Sequence, residues 1–543
     1  MRKTAGVLLL LMLLLAGCAR TAPSGLAVAS VSTARINAAH LQRHLTQAPR
    51  TLDPSLNEDV SGYTIIDDLF EGLVRLDAAG NVVPGVAERW ETSSDGLLWR
   101  FHLRDQARWS NGQPVTAQDF IYSWRRVVDP ATGSVNAQQL APIAGASQII
   151  HDGASPASLA AVALDAHTLE VRLATPTPYF LYLLTNCWLM PLHEPALREH
   201  GAKWTEPGNL VSNGAFLLAA RAINGPVALL RNPRYWDERA VHLNAVTYFP
   251  VPDTASATAR FLAGDLDVTD RFQLDDFGWL HAALGEQVRM TTNVATYMLG
   301  MHVTRPPFND VRLRQAMVMA LDREILTGKV MNGLYRPAYG IVPPLPDYPA
   351  VLPDWARLGD EARHREARRL YAAAGYSSAR ALQVELWYPM ADADTRRMLE
   401  AMAAMWRVNL GADVQLRNEE WRVHQQNRHI RKYRFFFYPW SGDYPEPLSF
   451  LALPLPGSDQ NYMDYRDPDY AAAVESAVRS TEASARQAAY HEAERILNAA
   501  AVVVPVYYYQ SRHLLRSQVQ GWHDNPMDRH SSRDLQLAQA GSH

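Results

Sequence analysis

Hydrophobic and polar positions change their spacing repeatedly along this chain. Short apolar runs that alternate or are bounded by turn residues predict strands at 97–103, 168–173 and 384–388. Longer stretches predict helices at 117–126, 310–321, 361–374, 391–407 and 470–500. Thr116 and the pair Asn309-Asp310 stand where helix N-caps are expected. Because strands and helices interleave, the pattern predicts an α/β fold.

The N-terminus has the features of an export signal. Arg2 and Lys3 precede a ten-residue apolar run at 7–16. A run of that length is too short to cross the ~30 Å hydrocarbon core of a bilayer. Residues 1–17 are therefore predicted to be a signal peptide. No later stretch reaches the length of a membrane span, so the rest of the chain is expected to lie outside the bilayer.

The end of this signal resembles a bacterial lipoprotein lipobox. In Leu15-Ala16-Gly17-Cys18 the cysteine would become the acylated N-terminus, carrying palmitate, after cleavage. An ordinary leader cut after a small residue is the alternative. Residues 18–35 are dominated by Ala, Ser, Thr, Pro and Gly and are predicted to be a flexible tether. Ala19 resembles the residue that directs lipoproteins to an outer membrane, so that membrane is favoured over the inner one.

Composition narrows the function classes further. The 543 residues are 48% apolar and 20% charged, with a formal net charge of -4. This small excess of acidic over basic residues does not indicate a basic surface for nucleic acid, so no nucleic-acid partner is expected. With Cys18 acylated, Cys187 is the remaining cysteine, which excludes an intramolecular disulfide. Its apolar neighbours predict a buried small hydrophobe rather than a nucleophile.

Catalytic motifs are missing from the sequence. It contains no G-x-S-x-G elbow, H-E-x-x-H, C-x-x-C or Walker loop. His40 and His44 have the spacing of two metal ligands on a helix, but no further ligands accompany them. The chain is therefore predicted not to be an enzyme and to use no metal or cofactor.

Two Pro-rich passages, 336–353 and 438–456, are longer than ordinary connectors and contain several aromatic residues. Long ordered loops often carry function, so a role in ligand binding is expected for them.

Ten sequence blocks, in order, resemble the oligopeptide-binding proteins of ABC importers, a large family of extracytoplasmic solute-binding proteins. They cover nearly all of residues 45–510. The blocks are TLDP at 51–54, DLFEGL at 68–73, PGVAE at 84–88, WSNGQPVTAQDF at 109–120, KWT at 203–205, NGAF at 213–216, RNPRYW at 231–236, PPFNDVR at 306–312, GDY at 442–444 and VPVYYY at 504–509.

The resemblance implies a two-lobed periplasmic-binding-protein-like fold (type II) with an extra domain and a ligand cleft between the lobes. Domain II would span 71–194, and domain III, the second lobe, 291–510. Domain I would be discontinuous, with parts at 36–70, 195–290 and 511–543, the last including the C-terminal tail.

The resemblance also implies a set of peptide-binding residues. Asp443 matches the carboxylate that receives the free α-ammonium of the peptide, with a turn residue as the alternative. Glu58 and Val60 match positions along the peptide's path, although Glu58 could equally be a solvated loop carboxylate. The other positions implied to bind peptide are Tyr122, Trp421, Arg428, Trp440, Gly442 and Tyr508, of which the aromatic ones could instead belong to the core.

Four positions depart from the family pattern. Phe437 stands where an arginine is expected, and Asp394 where a histidine is expected, which leaves the binding of a tri- or tetrapeptide C-terminus open. The cysteine pair of the family is replaced by Ala295 and Ser441.

The favoured function is that of a monomeric periplasmic lipoprotein. It would bind short peptides and deliver them to the permease and ATPase of an ABC importer, with its lipid as the only contact with the membrane. A murein peptide, a dipeptide, nickel or haem is the alternative cargo. A lipid-anchored hydrolase or signalling receptor is a further alternative.

Overall fold

The computed structural model describes residues 39–345, 348–390, 393–480 and 482–538. The predicted signal peptide at 1–17, the lipidated Cys18 and the tether at 18–35 lie outside the described residues. Within them, no helix is both long enough and apolar enough to cross a membrane.

The strands of the described residues are β1 His40–Leu45, β2 Val74–Leu76, β3 Val82–Pro84, β4 Ala87–Thr92, β5 Leu98–Leu103, β6 Ala161–Asp165, β7 Thr168–Arg172, β8 Phe216–Arg221, β9 Val227–Arg231, β10 Ala245–Pro250, β11 Val288–Met301, β12 Arg336–Pro337, β13 Gln383–Pro389, β14 Asp413–Glu419, β15 Phe435–Phe437, β16 Trp440–Ser441, β17 Val503–Leu514, β18 Val519–Gln520 and β19 Gln536–Leu537.

The α-helices in the same part of the chain are α1 Val60–Leu69, α2 Ala117–Val128, α3 Ala146–Asp152, α4 Phe180–Leu183, α5 Glu194–His200, α6 Thr254–Ala263, α7 Phe277–Leu284, α8 Val311–Met319, α9 Arg323–Ile325, α10 Asp360–Ala373, α11 Ala393–Leu410, α12 Trp421–His429, α13 Leu448–Leu451, α14 Pro468–Arg479 and α15 Ala483–Ala500.

Three larger sheets organise these strands. One has the order β1-β10-β9-β8, and a second, fully antiparallel, has the order β4-β5-β7-β6. The third has the order β12-β17-β11-β15-β13-β14, with β16 also paired to β11. The first sheet draws its strands from the segments predicted as domain I, and the second from 71–194. The third lies mainly in 291–510, but β11 and β17 extend beyond both ends of that segment.

The predicted elements are confirmed with one exception. Strands β5, β7 and β13 and helices α2, α8, α10 and α11 lie where the sequence pattern places them. The single helix predicted at 470–500 is wrong, because α14 ends at Arg479 and α15 begins at Ala483. The Glu482 carboxylate accepts a hydrogen bond from the Ala485 N–H at 2.8 Å and so caps a new helix.

Helix α2 illustrates how local sequence fixes an element. The Thr116 N–H and hydroxyl both donate to Asp119 Oδ2, at 2.7 and 3.0 Å. These hydrogen bonds cap the first turn of the helix. The buried face includes Phe120 and Trp124, and the Trp124 indole N–H donates to the Leu189 carbonyl at 2.8 Å. Burial of these aromatic side chains anchors the helix against the segment around Cys187. Cys187 itself is fully buried, as predicted.

A buried ion pair joins the first block of the resemblance to α2. The Arg126 guanidinium donates to both carboxylate oxygens of Asp53, at 2.9 and 2.7 Å. The Trp204 indole N–H donates to the same carboxylate at 3.3 Å. The TLDP and KWT blocks therefore meet at one structural junction.

Glu494 on α15 holds the first Pro-rich passage in place. Its carboxyl group accepts from the Tyr348 hydroxyl at 2.9 Å and from the Val342 N–H at 3.4 Å. Burial raises the pKa of Glu494 to about 8. The folded chain therefore keeps a proton on this group at pH values where the unfolded chain, with a pKa near 4.5, has lost it.

This difference predicts a pH-dependent stability. Between about pH 4.5 and about pH 8 the folded state binds the extra proton, so the free energy of unfolding falls as the pH rises, by up to about 1.4 kcal/mol per pH unit. Glu494→Gln removes this titration. The free energy of unfolding would be measured by urea denaturation at pH 5, 6.5 and 8. The difference between the variant and the wild type should grow in favour of the variant each time the pH is raised. Glu492→Gln, which changes an exposed carboxylate of the same helix, is the control and should follow the wild type. Parallel curves for Glu494→Gln and the wild type would contradict the account.

Candidate functional site

A cavity of about 490 Å³ lies where distant parts of the chain converge. Its walls come from residues 57–64 around the start of α1, 293–295 of β11, 441–443 of the second Pro-rich passage and 526–530 near the C-terminus. This volume lies within the ~300–1,000 Å³ typical of small-molecule sites.

The ladder between β11 and β17 is interrupted at the cavity wall. Thr292 pairs with Gln510 and Thr296 with Tyr508, so residues 293–295 stand opposite Tyr509 alone. Val294 is the middle residue of this interruption. Its N–H donates to the Pro526 carbonyl at 2.9 Å, and its carbonyl accepts from the Gly442 N–H at 2.7 Å. Two walls of the cavity are attached to β11 at this one residue.

Asp443 presents a largely buried carboxylate to the cavity. Its N–H donates to Ser449 Oγ at 3.2 Å, and its Oδ2 accepts from the Gln139 side-chain amide at 3.2 Å. Burial raises the pKa of Asp443 above its ordinary value, and the Gln139 hydrogen bond and the charge of Arg529 offset part of this effect. Among the described residues no cation forms an ion pair with Asp443 at salt-bridge distance. The carboxylate is therefore poorly solvated, and its charge is only partly compensated.

Contacts beside Asp443 connect the segments predicted as domains II and III. Gln139 lies in 71–194, and Asp443 in 291–510. Tyr179 and Tyr444 from the same two segments stack with ring centroids 4.0 Å apart and an interplanar angle of 5°. The surroundings of Asp443 therefore come from both segments.

Three more of the predicted residues line the cavity. Val60, the first residue of α1, is 75% exposed. Glu58 pairs with Arg50 at 2.7 Å on an exposed rim, where an ion pair contributes little stability. Gly442 has no room for a side chain, because an added Cβ would lie 2.7 Å from Val294 Cγ1 and 2.9 Å from Ser449 Oγ. Glycine at this position lets the chain approach β11 closely enough to set the position of Asp443.

Arg428 lies away from the cavity wall. Its buried guanidinium is 4.7 Å from the centroid of the Tyr462 ring and 5.4 Å from that of Tyr438. Burial lowers the pKa of Arg428 below its ordinary value. Cation–π contacts thus hold this side chain within the fold.

The four predicted aromatic residues are likewise outside the cavity lining. Tyr122 packs against the core from α2, and Trp421 is 50% exposed at the start of α12. Trp440 is partly buried on β16, and Tyr508 is buried with its hydroxyl donating to the Gly340 carbonyl at 3.4 Å. The next residue along β17, Tyr509, lines the cavity instead.

The two departures Phe437 and Asp394 also lie elsewhere. Phe437 is buried on β15 with its ring edge against Tyr297, at 5.7 Å between centroids. Asp394 pairs with Arg397 on α11. Neither residue reaches the cavity.

Two charged groups of the cavity, Arg529 and Asp67, were not predicted from the sequence. Arg529 donates to Asn186 Oδ1 at 2.6 Å and to Thr185 Oγ1 at 3.2 Å, and its guanidinium lies 4.6 Å from the Tyr63 ring centroid. Nearby, burial together with the charge of Asp68 raises the pKa of Asp67 to about 6. These partners are separated widely in sequence, so no local spacing signals them.

A second missed feature is a cluster of His513, Asp528 and His530 on the cavity wall. Asp528 Oδ1 lies 2.8 Å from His513 Nε2 and 3.2 Å from His530 Nε2. Burial alone would lower the pKa of His513, but the charge and hydrogen bond of Asp528 raise it to about 9. Burial lowers the pKa of His530 to about 4. Asp528 and His513 therefore form a buried ion pair.

Comparison with known proteins decides the family. Residues 81–462 match the model of the bacterial extracellular solute-binding proteins, family 5 Middle. The chain belongs to family 5 of the bacterial extracellular solute-binding proteins. Members of this family bind solutes and are not enzymes, so this family 5 protein is a binding protein, as predicted.

Individual relatives match over most of their length. The family 5 chain is 36% identical to the periplasmic oligopeptide-binding protein OppA of Escherichia coli strain K12, over 98% of this chain and 97% of the relative. It is also 36% identical to the periplasmic murein peptide-binding protein MppA of the same strain, over 92% of this chain and 93% of the relative. The unliganded open form of MppA superposes with a TM-score of 0.82 at 35% identity, covering 92% of this chain and 97% of that structure. The two-lobed α/β fold implied by the resemblance is confirmed.

The positions of the missing cysteine pair allow a direct test of the cavity wall. Ala295 stands opposite Ser441 between β11 and β16, next to the hydrogen-bonded residues Val294 and Gly442. Such a non-hydrogen-bonded antiparallel pair brings side chains closest together. Ala295→Cys with Ser441→Cys should therefore form a disulfide that raises the free energy of unfolding by about 2–4 kcal/mol.

Thiol titration in denaturant and thermal unfolding with and without reductant would measure this. With Cys18 acylated, the double variant should show only the Cys187 thiol after oxidation and lose its added stability on reduction. Ala295→Cys alone is the control and should keep two thiols. Three free thiols in the oxidised double variant would contradict the register.

Proposed function

We propose that this chain is a periplasmic receptor that binds short oligopeptides in the cavity around Asp443 and delivers them to an ABC importer. The observation that carries the proposal is the largely buried Asp443 carboxylate at the edge of the cavity, which has no ion-pair partner among the described residues. The names of the two relatives, an oligopeptide-binding and a murein peptide-binding protein, support a peptide as cargo.

The free α-ammonium of a peptide supplies what Asp443 lacks. A carboxylate removed from water is costly unless a cation and hydrogen-bond donors compensate it. An ammonium group brings a positive charge and three donors to the same place. Binding would therefore stabilise the charged form of Asp443, and the energy gained would depend on the peptide's terminus rather than on its sequence.

The proposed binding residues are those of the predicted set that line one cavity, namely Asp443, Gly442, Glu58 and Val60. Gly442 holds Asp443 close to β11, and Val60 offers an exposed apolar side chain to the ligand. We assign no ligand contact to Arg428, because its guanidinium is engaged by aromatic rings.

Location follows from the same proposal. We propose that Cys18 carries lipid and that residues 18–35 tether the monomeric binding domain close to its importer. The periplasmic location in the names of both E. coli relatives supports export. A single lipidated terminus with more than one acyl chain would hold the receptor stably at the membrane.

A peptide titration tests the role of Asp443. Asp443→Asn should weaken the binding of a peptide with a free N-terminus by about two to four decades, because loss of one member of a buried ion pair costs ~3–5 kcal/mol. Calorimetric titration with a mixed tripeptide pool, and with the same pool N-acetylated, would measure this. The wild type should bind the acetylated pool as weakly as the variant binds the free one.

Glu492→Gln is the control, since it neutralises an exposed, paired carboxylate that does not line the cavity. It should change the affinity by less than about tenfold. Equal wild-type affinity for free and acetylated peptides, or an unchanged affinity in Asp443→Asn, would refute the proposed role.

A further inference from the structure

The cluster of His513, Asp528 and His530 has the donor set of a metal site. Each residue offers one ligand atom, and the three atoms all lie within 4.8 Å of one another. Two imidazole nitrogens with one carboxylate oxygen suit ions such as Zn²⁺ rather than Mg²⁺ or Ca²⁺, which prefer oxygen ligands.

The separations are close to those that coordination requires. Metal–ligand bonds of ~2.0–2.2 Å in a tetrahedron place neighbouring donor atoms about 3.3 Å apart. Asp528 Oδ1 lies 2.8 Å from His513 Nε2 and 3.2 Å from His530 Nε2. Both separations from Asp528 are thus within about 1 Å of the spacing that coordination requires, and the two histidine donors lie within 4.8 Å of each other.

The histidine rings are held by neighbouring groups. His513 Nδ1 lies 3.0 Å from the Thr269 carbonyl, to which it donates, so that Nε2 faces Asp528. This arrangement is the usual support of a metal-ligating histidine. The His530 ring stacks on Trp522 with centroids 3.6 Å apart. Both rings are thus oriented before any ion binds.

The cluster also has an open side. His513, Asp528 and His530 line the cavity, together with Asp270, which adds negative charge to the same wall. Three protein donors with a free position facing a cavity form an open site rather than a closed structural one.

By contrast, the pair His40 and His44, which has the spacing of metal ligands in the sequence, is engaged elsewhere. His44 Nδ1 accepts from the Asp270 N–H at 3.1 Å, and Nε2 lies 2.9 Å from the Val251 carbonyl. His40 Nε2 lies 2.8 Å from Thr247 Oγ1.

We propose that His513, Asp528 and His530 bind one divalent transition-metal ion of the Zn²⁺ class, with a remaining coordination position facing the ligand cavity. This site stands independently of peptide binding. It replaces the expectation from the sequence that the chain has no metal site.

Calorimetric titration of the full-length, metal-stripped chain with Zn²⁺ alone would test the proposal. The wild type should bind one ion per chain, and His530→Gln and Asp528→Asn should each weaken binding at least about tenfold. His523→Gln is the matched control, because this exposed histidine lies in the same segment and outside the cluster. It should bind Zn²⁺ like the wild type.

Cobalt gives a second readout, because tetrahedral Co²⁺ absorbs visible light strongly. The wild type loaded with Co²⁺ should show these bands, and His530→Gln should lose them. Thermal unfolding would verify that each variant is folded, and if Asp528→Asn is not, His530→Gln decides the question.

Absence of saturable Zn²⁺ binding to the wild type, or binding that His530→Gln and Asp528→Asn leave unchanged, would overturn the site. If the wild type binds peptide but not Zn²⁺, only the proposal of a metal site is refuted. If it binds Zn²⁺ but no peptide, only the proposed peptide-binding function is refuted.

Discussion

The backbone of Val294 is the point on which the cavity depends. Val294 lies in the interruption of the β11–β17 ladder between Thr292 and Thr296, next to the residues that pair β11 with β16. Its N–H donates to the Pro526 carbonyl, and its carbonyl accepts from the Gly442 N–H. These two hydrogen bonds attach the C-terminal segment and the second Pro-rich passage to the same strand. Residues more than 140 positions apart in the chain thereby form one wall.

Burial reduces the solvation of the charged groups in this wall. Gly442 can approach Val294 only because it lacks a side chain, and the approach carries the adjacent Asp443 into a poorly solvated place. A carboxylate in that environment favours any ligand that brings a compensating positive charge. The same surroundings contain Arg529 and the cluster of His513, Asp528 and His530, so opposite charges face one small volume. Such a site discriminates ligands by the position of their charged groups.

Local signals allowed much of the fold to be predicted. Helix starts at Thr116 and Asp310 depend on neighbouring residues and were found from the sequence. The break before α15 was missed, because a glutamate cap lacks the glycine or proline that usually marks one. In the run Tyr507-Tyr508-Tyr509 the sequence cannot say which ring faces the cavity, since successive side chains of a strand point to opposite faces.

The site could be predicted only in part from the sequence, because several of its contacts join residues that are far apart in the chain. Resemblance led to Asp443, Glu58, Val60 and Gly442, which do share the cavity. It also led to Arg428, which the fold stacks against aromatic rings. The cluster at His513 escaped notice because its support comes from Thr269, 244 positions away. Long-range contacts of this kind have no periodicity in the chain.

The most direct test of the central claim is the identity of the natural ligand. Mass spectrometry would identify the molecules that are released when the purified, cell-derived chain is denatured. The measurement would be made with and without prior labelling of free amines. We predict short peptides whose α-amines react with the label once they are released. A non-peptide ligand, or peptides with blocked N-termini, would contradict it.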